Sequence, residues 1–138
     1  MRVFLPETTQ MVKIYKAPQK GKGQQLLVNG FQLIDFPLNL PYIDGSAYFA
    51  GPHDRSIAEE YNQSYGEGIL EVMIDSISYI EYFKPLEFRY DEQNGIVRIE
   101  VVVPQSLFPM LNQFPRVLKL RWVPWMINAG NASSPNTD

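Results

Sequence analysis

The chain has no cysteine and a single histidine among its 138 residues. Without cysteine there is no disulfide framework, no thiol nucleophile and no Cys-based zinc site. One histidine excludes a His-x-x-x-His motif and every multi-histidine metal centre. A large charge excess is also missing. Twelve Lys and Arg against fifteen Asp and Glu leave −3, which supplies neither a nucleic-acid footprint nor a polybasic membrane patch. No stretch approaches the roughly 20 apolar residues that span a bilayer, and the first residues lack the apolar run of a signal peptide. The expectation is a soluble, cytoplasmic protein with no nucleic acid and no membrane among its partners.

What is present suits a folded domain: 45% hydrophobic residues, 13% aromatic and 20% charged. The length supports one core rather than two. A single domain over residues 1–125 is expected, followed by a flexible, small and polar tail over 126–138.

Val12-Lys13-Ile14-Tyr15-Lys16 alternates as a half-buried strand. Gln24 to Val28 reads as a short helix stopped by Asn29-Gly30, and Phe31 to Phe36 as an extended piece. Ser46 to Ala50 reads as a short buried strand. The best helix runs from about Asp54 to Tyr65. Ser56 and Glu59 form a capping box, with Asp54 as the alternative cap, and Ile57, Ala58, Tyr61 and Tyr65 share one face. Strands follow over Ile69 to Ile74 and Ser76 to Phe83. A hairpin of Leu86 to Tyr90 with Ile96 to Val103 turns at Asn94-Gly95. Gln105 to Asn112 holds a short helix, and Arg116 to Val123 alternates as a last strand. The fold class is α+β: a mostly antiparallel two-sheet core with one main helix and one or two short ones.

Few residues carry a chemical signal. His53 precedes Asp54, but sequence neighbours seldom face each other and no Gly-x-Ser-x-Gly nucleophile accompanies them, so it reads as a loop residue. Gly21-Lys22-Gly23 lacks the Ser or Thr that a phosphate loop needs after its lysine, and reads as a flexible basic loop. Tyr61, Tyr65, Tyr79, Tyr82 and Phe83 read as core and sheet aromatics rather than a nucleobase platform, since no basic stripe runs between them. Glu100 stands out. Period two puts it with Ile96, Arg98 and Val102 on one face of a valine-rich strand. A carboxylate there is costly to bury unless it faces a cleft or pairs with Arg98 on the same face.

Three segments taken in order resemble mono-ADP-ribosyltransferase-fold domains. They are Gly45-Ser46-Ala47-Tyr48-Phe49-Ala50, then Ser56-Ile57-Ala58-Glu59-Glu60-Tyr61, then Tyr65 to Ile74. Ile99-Glu100-Val101-Val102-Val103-Pro104 is similar to the strand in which that family places its catalytic glutamate. The likeness runs over roughly residues 12–123 on short motifs. It implies NAD as cofactor, Glu100 as the catalytic residue at the nicotinamide ribose, and Tyr48 stacking on nicotinamide with Phe49 packing nearby. Lys16 stands where the family has His or Arg on an early strand, and would take a phosphate or ribose contact. Arg98 stands where arginine- or asparagine-modifying members carry Glu or Gln. The function so implied is transfer of ADP-ribose to a protein target. The alternative is a non-catalytic interaction or regulatory module that meets a protein partner on an α+β scaffold.

Overall fold

The computed structural model describes residues 10–37 and 45–119. Within them six strands form one antiparallel sheet: β1 (Met11–Lys16), β2 (Ala47–Ala50), β3 (Ile69–Asp75), β4 (Glu87–Gln93), β5 (Ile96–Val103) and β6 (Arg116–Lys119), in the order β4-β5-β2-β1-β3-β6. Four α-helical elements accompany it: α1 (Gly23–Asn29), α2 (Ser56–Tyr65), α3 (Ser76–Ser78) and α4 (Phe108–Leu111). The α+β class is as expected, but the strands belong to a single sheet where the sequence predicts two. The two halves meet at β1 and β2, which share one residue pair, Tyr15 with Ala50. By contrast β1 and β3 pair along their whole length, from Met11 opposite Asp75 to Lys16 opposite Leu70.

Alternation sorts the strands into two faces. One face carries Ile14, Phe49, Leu70, Val72, Ile74, Val101 and Val103, all fully buried, and packs against α1, α4 and the segment after β3. Such apolar area dominates the folding free energy at about 25 cal/mol per Å². The opposite face packs α2 through Ile57 and Ala58 onto Tyr15, Ala50 and Ile69. Glu71 in the middle of β3 is only 3% exposed, and Lys13 and Lys119 from the flanking strands pair with it.

Several local expectations hold. The hairpin turns at Asn94 and Gly95, with φ of 53° and 79°, the doubly left-handed geometry that matches strand twist. The helix read from Asp54 onward begins at Ser56 and ends at Gly66, φ 70°. Its capping box does not form: Glu59 pairs with Arg55 instead, and Asp54 Oδ1 accepts from the Ser56 amide at 3.0 Å. The strand read over Arg116 to Val123 is described only to Lys119, and the tail and first residues lie outside the described residues.

Two expectations are corrected. Ser76 to Phe83 is helical, not extended: α3 continues as a π turn (Tyr79–Phe83) and a 3-10 turn (Lys84–Leu86). Asp75 starts it by accepting from the Ser78 amide, and Tyr79 and Phe83, four residues apart, stack into the core while Ile77 is 70% exposed. The buried aromatics therefore follow helical spacing, and the apparent Ile77/Tyr79 alternation is accidental. Phe31 to Phe36 contains a 3-10 turn, Leu33–Asp35, instead of an extended run. Asn112 holds its start by accepting from the Phe31 amide at 2.7 Å and donating to the Phe31 carbonyl at 3.0 Å.

Candidate functional site

The site forms where the sheet comes apart. Beyond the single Tyr15–Ala50 pair, β1 and β2 part, and residues from both faces of the sheet border one cleft of about 560 Å³. That volume lies within the roughly 300–1,000 Å³ of small-molecule sites. Lys16 at the end of β1, Tyr48 and Phe49 in β2, and Glu100 in β5 all line it. The four residues singled out from sequence are thus brought together although 84 positions separate the first from the last.

Lys16 reaches across the parting. Its Nζ donates to the Tyr48 carbonyl at 3.2 Å and lies 5.4 Å and 5.9 Å from the ring centres of Phe36 and Phe49. Aromatic faces attract a partly desolvated ammonium. Burial pulls the Lys16 pKa down to about 8, opposed by the negative charge of Glu100. Glu100 stands opposite Ala50 in the β2–β5 ladder. Burial raises its carboxyl above the ordinary value, and Lys16 works against that shift. The cleft therefore holds a cation and a carboxylate that act on each other electrostatically, with aromatic walls.

The pairing of Glu100 with Arg98 does not occur. Arg98, 4% exposed, spends its guanidinium elsewhere. Nε and Nη2 donate to the two oxygens of Asp91, each at 2.7 Å, while Nη1 donates to Glu60 at 2.7 Å and Ser56 at 3.1 Å. This planar fork joins the β4–β5 ladder to α2, a task suited to arginine. The register shift between Arg89 and Asp91 brings Asp91 opposite Arg98. Glu100 is left to the cleft.

The basic glycine loop is not loose. Gly21 and Gly23 amides each donate to the Glu67 carboxylate at 2.9 Å, so an anion of the chain itself occupies the position a phosphate would take. His53 is exposed with φ 63°, in the loop leading into α2, away from the cleft lining.

Other cleft residues were not legible as such. Tyr61 and Tyr65 of α2, read as core, stack on each other (centroids 6.2 Å apart, planes 10° apart) and line the cleft. Tyr61 is exposed and Tyr65 half-buried. Asp35 and Lys22 line it too, joined by an ion pair at 3.4 Å. The one sequence signal for Asp35 is an acid set in the apolar run Leu33-Ile34-Asp35-Phe36. Among the described residues no group of three or more His, Asp and Glu is placed to hold a metal, and no helix is long and apolar enough to cross a membrane. Comparison of the chain with protein-family models, curated proteins and solved structures gives no match.

Proposed function

We propose that the chain is a small ADP-ribosyltransferase-like domain that takes NAD as substrate in this cleft and transfers its ADP-ribose to a protein target. The observation that carries the reading is the meeting of Lys16, Tyr48, Phe49 and Glu100 in one cleft, with Glu100 unclaimed by Arg98. The donor set fits the substrate. Lys16 offers a cation to a diphosphate, the aromatic rings offer faces to nicotinamide, and Glu100 offers a carboxylate to the ribose.

In the transfer, the bond from ribose C1′ to the nicotinamide nitrogen breaks. The electron pair leaves with neutral nicotinamide, and positive charge builds on C1′ and the ring oxygen. A nucleophile of the target attacks C1′ and gives up its proton. Glu100 accepts a hydrogen bond from a ribose hydroxyl and lies near the developing charge. A fixed carboxylate in a partly dry cleft favours that transition state over the ground state. Removal of one such group costs on the order of 10²–10³ in rate. Glu100→Gln is expected to lower nicotinamide release about 100-fold or more while NAD affinity by calorimetry stays within about threefold. Equal turnover in both proteins removes Glu100 from the mechanism, and absence of NAD binding to the wild type removes the reading itself.

A non-catalytic module is the second reading. It is favoured by the engagement of the Lys16 ammonium with the Tyr48 carbonyl, and by the exposed Phe88, Tyr90, Ile96 and Val97 along the β4–β5 hairpin. A stoichiometric protein partner retained by Glu100→Ala in a pull-down, with no nicotinamide released, supports it.

A further inference from the structure

A second carboxylate in the cleft has an oxygen that the fold does not use. Asp35 ends the 3-10 turn between α1 and β2, and its side chain is 6% exposed. Oδ1 accepts from Gln25 Nε2 at 2.6 Å and is paired with Lys22 Nζ at 3.4 Å. Oδ2 is shielded from water and, among the described residues, is the buried side-chain oxygen without a hydrogen-bond partner. Leaving a buried acceptor unmet costs about 1–3 kcal/mol, so native structures rarely keep one without a use. Tying α1 to the turn needs Oδ1 alone.

The position tells what the second oxygen is for. Asp35 lines the cleft beside Phe36, whose ring flanks the Lys16 ammonium. The backbone of the turn is pinned by Asp35 N to Gln32 O and Phe36 N to Leu33 O, both 3.0 Å. The last torsion of a carboxylate has a broad profile, so the turn that would bring Oδ2 to the cleft is opposed by the Oδ1 bonds to Gln25 and Lys22 rather than by the backbone. A carboxylate oxygen only accepts, so it welcomes an O–H or N–H group and repels a phosphate. Lys22 beside it supplies the balancing cation.

Resting on the NAD reading, we infer that Asp35 is a binding and specificity residue of the cleft, its Oδ2 accepting a hydrogen bond from a ribose hydroxyl or the adenine amino group of the nucleotide. The two sources share one chemistry, a neutral donor meeting a buried carboxylate, and they can be told apart.

The test is calorimetry on the full chain and on Asp35→Asn. The amide keeps the shape and an acceptor for Gln25 and Lys22 but turns the second position into a donor. Ligands are NAD, ADP-ribose and nicotinamide hypoxanthine dinucleotide, which has a carbonyl in place of the adenine amino group. Scanning calorimetry of the free proteins runs beside it. The expected result is at least a tenfold loss of NAD and ADP-ribose affinity in the variant, with the free melting temperature within about 2 °C of wild type. Equal losses for NAD and the hypoxanthine analogue assign the donor to a ribose hydroxyl. A wild-type preference for NAD that the variant erases assigns it to the amino group. Unchanged affinity overturns the inference. So does a variant that fails to fold or melts more than about 5 °C lower, because Asp35 is then a structural tie. A wild type that binds neither NAD nor ADP-ribose overturns this inference and the NAD reading together. Asp35-dependent binding of ADP-ribose without nicotinamide release upholds the inference and sinks the transfer activity alone.

Discussion

At the scale of single residues the cleft is governed by two half-buried charges of opposite sign, Lys16 and Glu100. The folded-state pKa of Lys16 is about 8 against an ordinary 10.5, lowered by burial. Its ammonium therefore opposes folding at neutral pH, and the cost fades as pH rises through 8 toward 10.5, where the unfolded chain binds the extra proton. Wild type is expected to gain stability between about pH 7 and 9.5 relative to Lys16→Met, as read by denaturant titration at each pH. ADP-ribose affinity is expected to move the other way, falling several-fold over about the same range in wild type and staying flat in the variant. A parallel pH slope in the two proteins rules Lys16 out as the titrating group. Glu67 shows the opposite linkage. The Gly21 and Gly23 amides hold its carboxyl below the ordinary value, so its contribution is present above that value and is lost as pH falls. Glu67→Gln should melt below wild type at neutral pH, the gap closing as pH falls below the ordinary carboxylate value of 4.5.

At the scale of elements, the short helices are held by side chains rather than by propensity. Arg116 Nε donates to the Leu26 and Leu27 carbonyls at 3.2 and 3.1 Å, closing the end of α1, and Asn112 clasps both backbone groups of Phe31. Seven and four residues are too few for α1 and α4 to stand alone. Asn112→Ala leaves a buried amide and carbonyl unmet and is expected to cost about 2–3 kcal/mol in chemical denaturation, since one lost partner costs about 1–3 kcal/mol. A loss below about 0.5 kcal/mol would show that water replaces the side chain at no cost. The same reasoning explains the misread segment after β3. Asp75 supplies a cap, and Tyr79 and Phe83 find the core at helical spacing, so packing overrides a β-branched pattern. Gly51 shows how closely elements approach beside the cleft: a Cβ there would lie 2.9 Å from the Ile99 carbonyl oxygen.

At the scale of the whole molecule, a sheet whose halves share one residue pair at β1 and β2 opens a cleft between them. Both halves line the cleft, Lys16 and Tyr15 from one and Tyr48, Ala50 and Glu100 from the other, so a ligand held there would tie the halves together. Binding to the native state alone stabilises it by about 2.7 kcal/mol at a ligand concentration of 100 Kd. NAD at that excess is expected to raise the melting temperature by roughly 8 °C, and the rise should shrink in Lys16→Met. No shift with NAD alongside a clear shift with a protein partner would favour the interaction-module reading.

Sequence alone determined the α+β class, the hairpin at Asn94-Gly95, the helix ending at Gly66 and the core-facing valines of β5. These follow from local periodicity and turn chemistry, which neighbours in the chain dictate. It also determined what is absent: no thiol and no histidine cluster can take part in any chemistry here. Tertiary structure decided whether Glu100 is a surface ion-pair member or a cleft carboxylate. That outcome depended on Asp91, brought opposite Arg98 by a register shift, and on Glu60 from a distant helix. It likewise decided that Glu67 fills the glycine loop and that Asp35 keeps an unmet oxygen in the cleft. No period in the sequence encodes these, because each is a competition among polar groups on different elements, and the winner is set by which strands and helices pack side by side.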